Sequence, residues 1–427
     1  MGHRRSTSAW LLAAAVAIAP GVVEAGESDN HIAYYQRLLQ RHPNDARTHL
    51  RLGDALVRKA RETGDNAYFD RAEAALRRSL ELTPASAGAW RHLAYVFYSR
   101  HQFAEAETYA RKAVALDAAD GHAWGVLGDT LLETGRYDEA AEVYARMLAL
   151  EPDLHAWARR AGLRSLRGDV AGAIADLERA VAEGRAAGRP AESIAWALWQ
   201  LGTEHFMIGD LAAAEGRFAE SLAAYPDYHR ALAGMGQVRA AQARYEEAVT
   251  LYRRALAGAA HPEYASPLGD VLTRLGRTDE ARAPYGLVEA LGRLDDARLA
   301  QERRELAYFY ADHDRELPRA LDLARQDLAE RRDVYGHDLL AWVLLKNGRA
   351  AEAREAITTA LGVGTRDARL FFHAGMIHQA LGEPERAREY LTLALATNPH
   401  FHVLHADTAR RALAALPPPA APGPAAE

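Results

Sequence analysis

Alanines recur along this chain at nearly fixed intervals, and the interval dictates the class of fold. Ala72, Ala106, Ala140, Ala173, Ala214, Ala248, Ala281, Ala320, Ala353 and Ala387 are spaced by 34, 34, 33, 41, 34, 33, 39, 33 and 34 residues. Such a period marks an array of small units, each unable to bury its own apolar face and so obliged to stack on its neighbours. Twelve residues before most of these alanines stands a second small residue: Ala94, Gly128, Ala161, Gly202, Gly236, Gly269, Ala341 and Gly375. Paired small residues let two helix backbones approach, while Trp, Leu and Tyr at helical spacing fill the space to either side. Between them Gly135, Gly168, Gly209, Gly276, Gly348 and Gly382 are placed to end one helix in a left-handed conformation. Asp138, Asp169, Asp210 and Asp279 follow, opening the next helix. The pattern predicts helix, tight turn, helix.

These residues resemble the tetratricopeptide repeat family, whose pattern runs W-x2-L-G-x2-Y and then G, A, F, A and P. Trp124, Leu127 and Gly128 with Ala140, Tyr144 and Pro152 follow it, as do Leu201 and Gly202 with Ala214, Phe218 and Pro226. Ala374 and Gly375 with Ala387, Leu391, Ala394 and Pro399 close the series. The resemblance implies an all-α chain, an α-solenoid wound as a right-handed superhelix of about ten helix-turn-helix repeats over 46–400. Residues 26–45 and 401–416 are expected as capping helices, and 417–427, proline and alanine with little to pack, as a disordered tail. Extra residues near Arg61 to Asn66, between Glu183 and Ser193, and around Asp312 to Leu317 are expected as loops or extended helix ends.

Residues 1–25 read as a cleaved secretory signal peptide: His3-Arg4-Arg5, an apolar stretch from Ala9 to Ala19, Pro20-Gly21, then Val23-Glu24-Ala25. About fifteen apolar residues fall short of the roughly 20 that span a bilayer. Arg4-Arg5 lacks the hydrophobic residues that usually follow a twin-arginine pair, which favours general secretion. The absence of cysteine excludes a lipid-anchored amino terminus, disulfides and thiolate metal sites. The expected location is therefore periplasmic or secreted, with no stable membrane insertion after cleavage. Without the signal, 50 basic residues face 57 acidic ones, a net charge of −7 that favours neither nucleic acid nor an acidic membrane.

In the family, first helices line a concave surface that holds peptides or partner proteins. Carried over by position, the groove of this chain takes Arg91, Tyr95, Tyr98, Asp129, Trp196, Trp199, Phe206, Tyr308, Trp342 and Phe372, with Arg51, Asp54, Leu132, Thr203, Gln237, Asp270, Arg304 and Met376 beside them. Large flat side chains with polar edges are the usual anchors of protein recognition. The fixed cationic clamp of chaperone-binding members is missing: Arg91 fits one position, but Tyr95, His122 and Val126 stand where the asparagine and other cations belong. A second candidate chemistry is metal binding by His373, His378, His400, His402 and His405, close in sequence near the carboxyl end. No nucleophile elbow, phosphate loop or dinucleotide fingerprint occurs, so neither catalysis nor a cofactor is expected. The reading is an exported scaffold in an envelope assembly, gripping a protein or extended peptide along its inner face.

Overall fold

The computed structural model describes residues 27–294 and 296–418; the expected signal segment and most of the proline-alanine tail lie outside the described residues. Those residues form 22 helices and no strand. A single helix α1 (Glu27–Arg41) precedes ten helical hairpins, and a single helix α22 (His405–Ala415) follows them. The first five hairpins are α2 (Ala46–Thr63) with α3 (Ala67–Leu82), α4 (Ala87–Ser99) with α5 (Phe103–Leu116), α6 (Gly121–Glu133) with α7 (Tyr137–Leu150), α8 (Leu154–Leu166) with α9 (Val170–Ala186), and α10 (Ala191–Met207) with α11 (Leu211–Ala224). The second five are α12 (His229–Ala241) with α13 (Tyr245–Gly258), α14 (Pro262–Arg274) with α15 (Thr278–Leu291), α16 (Asp296–Asp312) with α17 (Leu317–Glu330), α18 (Val334–Lys346) with α19 (Ala350–Leu361), and α20 (Ala368–Ala380) with α21 (Pro384–Thr397). Among the described residues no helix is long and apolar enough to cross a membrane.

Helix ends follow from side-chain chemistry. Asp45, Ser86, Asp120, Asp153, Asp333 and Asp367 accept amides at the start of first helices, and Asp169 and Asp210 do so for α9 and α11. Asp138 and Asp279 sit instead inside the first turns of α7 and α15, where a negative charge is favourable at the positive end of the helix dipole. Every hairpin turn holds a left-handed residue, a glycine in seven of them; His101 and Ala243 take that conformation in the second and sixth hairpins, and Asp314 and Glu316 both do so in the eighth. The extra residues at Arg61, Glu183 and before Asp312 emerge as added helical length, making α2, α9, α10 and α16 17 or 18 residues long.

In the third, fifth, sixth, seventh and tenth hairpins a glycine of the first helix receives a large side chain from the second. A Cβ on Gly128 would stand 2.3 Å from the ring of Tyr144, one on Gly202 2.7 Å from Phe218, and one on Gly269 2.2 Å from Tyr285. In the first hairpin the extension of α2 displaces this contact to Gly53, which packs on Leu76. Successive first helices touch throughout the array, whereas successive second helices make no comparable contact. The first helices therefore form the inner wall and the second helices the outer one.

The array winds until it meets itself. The turns of the first, third, fourth and fifth hairpins lie against the links that follow the sixth, eighth, ninth and tenth. Gly64 packs on Ala259 and His261, Gly135 on Arg332, Gly168 on Gly364, and Gly209 on Asn398. Polar bonds join the same edges: Tyr137 hydroxyl accepts the Val334 amide at 2.8 Å, Asn398 Nδ2 donates to the Phe206 carbonyl at 2.7 Å, Thr365 hydroxyl donates to the Leu166 carbonyl, and Arg331 pairs with Glu133. This seam encloses the space between the first helices as a lumen.

Gly135 and Gly348 both need positive φ, but a Cβ at 135 would fall 2.2 Å from the Arg332 carbonyl oxygen, and one at 348 would meet nothing within 4 Å. Both alanine variants bear the left-handed cost of about 1–2 kcal/mol. Gly135→Ala is expected to lose roughly a further 1–3 kcal/mol through the seam clash, measured by urea unfolding against Gly348→Ala.

Candidate functional site

The inner wall is charged, and its charges are largely paired. Toward the amino-terminal end, Arg58, Arg61, Arg91, Arg159 and Arg189 line one cavity of ≈ 350 Å³ together with Tyr95, His92, His122 and His155. Asp54, Glu192, Asp120, Asp129 and Asp153 hold those five guanidinium groups at 3.1, 2.6, 2.8, 2.8 and 2.7 Å. The Arg61–Glu192 bond crosses from α2 to α10 and ties the two sides of the lumen together. Burial pushes the His92 imidazole down to about 4, aided by Arg91 against the opposing pull of Asp54.

Farther along, Trp199, Thr203, Arg230, Gln237, Glu263 and Tyr264, on α10, α12 and α14, line a cavity of ≈ 410 Å³ that reaches His402 and α22. The Arg230 guanidinium lies 5.0 Å over the Trp199 ring. Beside it, Asp270, Glu305, Asp312, Asp367 and Arg369 face a third cavity of ≈ 280 Å³. Acid groups dominate there, with Glu263 also on the lining: burial raises Glu305, with Glu263 adding to the shift, and the same two effects raise Glu302, one turn before Glu305 on α16, to about 7 with Glu305 contributing. The lumen thus runs from balanced arginine pairs to a carboxylate-rich end. Cavities of this size admit side chains and single extended strands, and they exclude a folded domain.

Of the expected groove residues, Arg91, Tyr95, Tyr98, Trp196 and Trp199 are half-buried on the inner wall. Tyr95 lines the first cavity and Trp199 the second, while Trp196 lies against His155. Of the remaining five, Asp129, Trp342 and Phe372 require correction because packing consumes them, whereas Phe206 and Tyr308 are buried but still line the third cavity. Asp129 is buried and takes the Tyr144 hydroxyl and the Arg159 guanidinium. Phe206 packs with Phe218 and Met235 beneath the Asn398 seam contact. Tyr308 donates its hydroxyl to Asp338 at 2.8 Å. Trp342 donates to Asp312 at 2.7 Å and stacks on His373, and Phe372 is fully buried against Trp342 and Phe401. Arg304 is likewise held between Asp327 and Asp333 inside the wall.

The histidines divide as well. His373 Nδ1 pairs with Asp338 at 2.8 Å, and His378 pairs with Glu383 and stacks on Tyr390. His400 stands apart in the second cavity, whereas His402 and His405 come together, with ring centroids 4.3 Å apart. Position alone could have revealed part of what was missed. Arg230 and Glu263 lie seven residues before Gln237 and Asp270, as Trp196 lies before Thr203, so two helical turns return them to the same inner face.

Glu204 gives the site a pH signature. It accepts the Ser165 hydroxyl at 2.8 Å, but burial, with Asp367 nearby, raises it to about 7 from the usual carboxylate value. The folded chain therefore binds this proton more tightly than the unfolded one, so its stabilising contribution is complete below the unfolded value and lost as pH rises through 7. Chemical denaturation between pH 5 and 8 is expected to show a smaller loss of stability for Glu204→Gln than for the parent chain; parallel profiles contradict the assignment.

Tetratricopeptide repeat models match residues 97–163 and, in a second form, residues 57–123, 199–265 and 339–400, together more than half of the chain. No curated protein sequence matches it. Solved structures to which it is similar include a tetratricopeptide repeat protein from Parabacteroides merdae, 17% identical, covering 61% of this chain and 97% of that one with a TM-score of 0.34. Another is the yeast Tom70, 13% identical over 90% and 92% of the two chains with a TM-score of 0.39. A third is the APC/C hetero-tetramer Cut9-Hcn1, 13% identical over 91% and 96% with a TM-score of 0.36. The repeat matches and the ten stacked hairpins agree, and the chain belongs to the tetratricopeptide repeat family.

Proposed function

We propose that this repeat scaffold is exported and holds an extended segment of a partner protein inside its lumen, within an envelope assembly. The observation that carries the reading is the ≈ 410 Å³ cavity, where three consecutive first helices present Trp199, Arg230, Gln237 and Glu263 side by side. An aromatic face with fixed polar groups around it buries area at small entropic cost and sets the register of a bound chain. Residues 1–25 support export, and the absence of cysteine agrees with folding outside the cytoplasm without disulfides.

A photo-crosslinking amino acid at Gln237, which is exposed within the cavity, is expected to capture a discrete partner in intact cells. The same probe at Arg282 on the outer wall should not. Replacing Trp199 and Tyr95 together by alanine should weaken capture about tenfold or more, the effect of losing anchors of roughly 2 kcal/mol, with the circular dichroism unchanged. Identical adducts from the two probe positions would overturn the reading. Removing residues 1–25 should leave the protein in the cytoplasmic fraction.

A further inference from the structure

The carboxyl-terminal end of the array brings nitrogen and oxygen donors from separate hairpins to one point. Asp270 lies on α14, Asp312 ends α16, His402 lies in the link after α21, and His405 opens α22. Their side chains are 2, 11, 22 and 8% exposed, and three of the four line the ≈ 280 Å³ cavity, so the point is screened from bulk water yet reached from the lumen. One ligating atom each of Asp312, His402 and His405 lies within 4.8 Å of the others.

The distances within this cluster suit a shared ion better than they suit hydrogen bonds. His405 Nε2 is 3.6 Å from Asp312 Oδ1, and His402 Nε2 is 3.7 Å from Asp270 Oδ2, both beyond hydrogen-bond range. Two ligands about 2.0–2.2 Å from one tetrahedral ion stand roughly 3.4 Å apart. The carboxylates are anchored: Trp342 donates to Asp312 Oδ1 at 2.7 Å, and Asp270 Oδ1, turned away from His402, takes His313 and Tyr285 at 2.8 Å each. Such outer contacts orient metal ligands. His402 Nδ1 faces the amides of Leu404 and His405 at 3.2 and 3.4 Å. Ligation through Nε2 moves the ring proton to Nδ1 and exchanges those two long contacts for a coordinate bond.

We propose that Asp312, His402 and His405 bind one first-row divalent transition ion, with zinc the type best suited to two imidazoles and a carboxylate. The ion pins α22 and its preceding link to α16 and so fixes the carboxyl-terminal end of the lumen. His373 and His378, already engaged by carboxylates, stay outside the site.

The full chain, purified without a polyhistidine tag and stripped with chelator, is titrated with cobalt(II) and then zinc(II). One equivalent of cobalt is expected to give the visible bands of a tetrahedral site, zinc to abolish them, and zinc to raise the melting temperature. Asp312→Asn and His405→Ala should each weaken zinc binding at least tenfold, with His378→Ala and His400→Ala unchanged. Asp312→Asn preserves shape, so it decides the matter if His405→Ala fails to fold. No uptake by the parent chain, or equal uptake by Asp312→Asn, overturns the proposal.

Discussion

At Gly128, Gly202, Gly236, Gly269 and Gly375 the first helix approaches the second so closely that a Cβ would stand 2.2 to 3.2 Å from a ring or branched side chain of the facing helix. That close approach fixes the geometry of each hairpin, and because hairpins stack through their first helices, it propagates along the array. A small, repeated rotation per unit brings the sixth unit onward back against the first five. Where the two edges meet, backbone lies on backbone: Gly135 against Arg332 and Gly168 against Gly364 leave no room for side chains.

Closure changes what the inner wall can do. In an open solenoid the first helices would present a broad groove, whereas here Arg61 reaches Glu192 across the lumen and Arg331 reaches Glu133 along the seam. Guanidinium and carboxylate groups withdrawn from water are tolerable only when paired, and that requirement accounts for the five arginine pairs of the first cavity. The space left over favours a single strand or isolated side chains. Glu302 and Glu305, raised by burial and by the charge of Glu263, make the carboxyl-terminal half the more pH-responsive part of the wall.

The hairpins were legible in the sequence because everything that specifies them is local. Gly128 and Tyr144 are sixteen residues apart, and Gly135 marks the turn between them. The seam was not legible: Glu133 and Arg331, or Phe206 and Asn398, are separated by nearly half the chain, and no periodicity announces that they meet. This explains the errors at the site. Trp342 and Phe372 occupy faces expected of groove residues, but they are buried against each other and against His405 of α22, while Phe206 and Tyr308 are buried and only edge the third cavity. For the same reason, a cluster of five sequence-neighbouring histidines divides into two that meet Asp270 and Asp312 and three that do not.

The account stands or falls on the winding being closed in solution. The chain contains no cysteine, so two can be introduced cleanly, at Arg167 and Arg366, exposed positions on opposite edges of the seam where Gly168 meets the Arg366 side chain. Spin labels there, read by double electron–electron resonance, should report one short and narrow distance. A long, broad distribution would show an open solenoid, and the enclosed lumen built here would not exist.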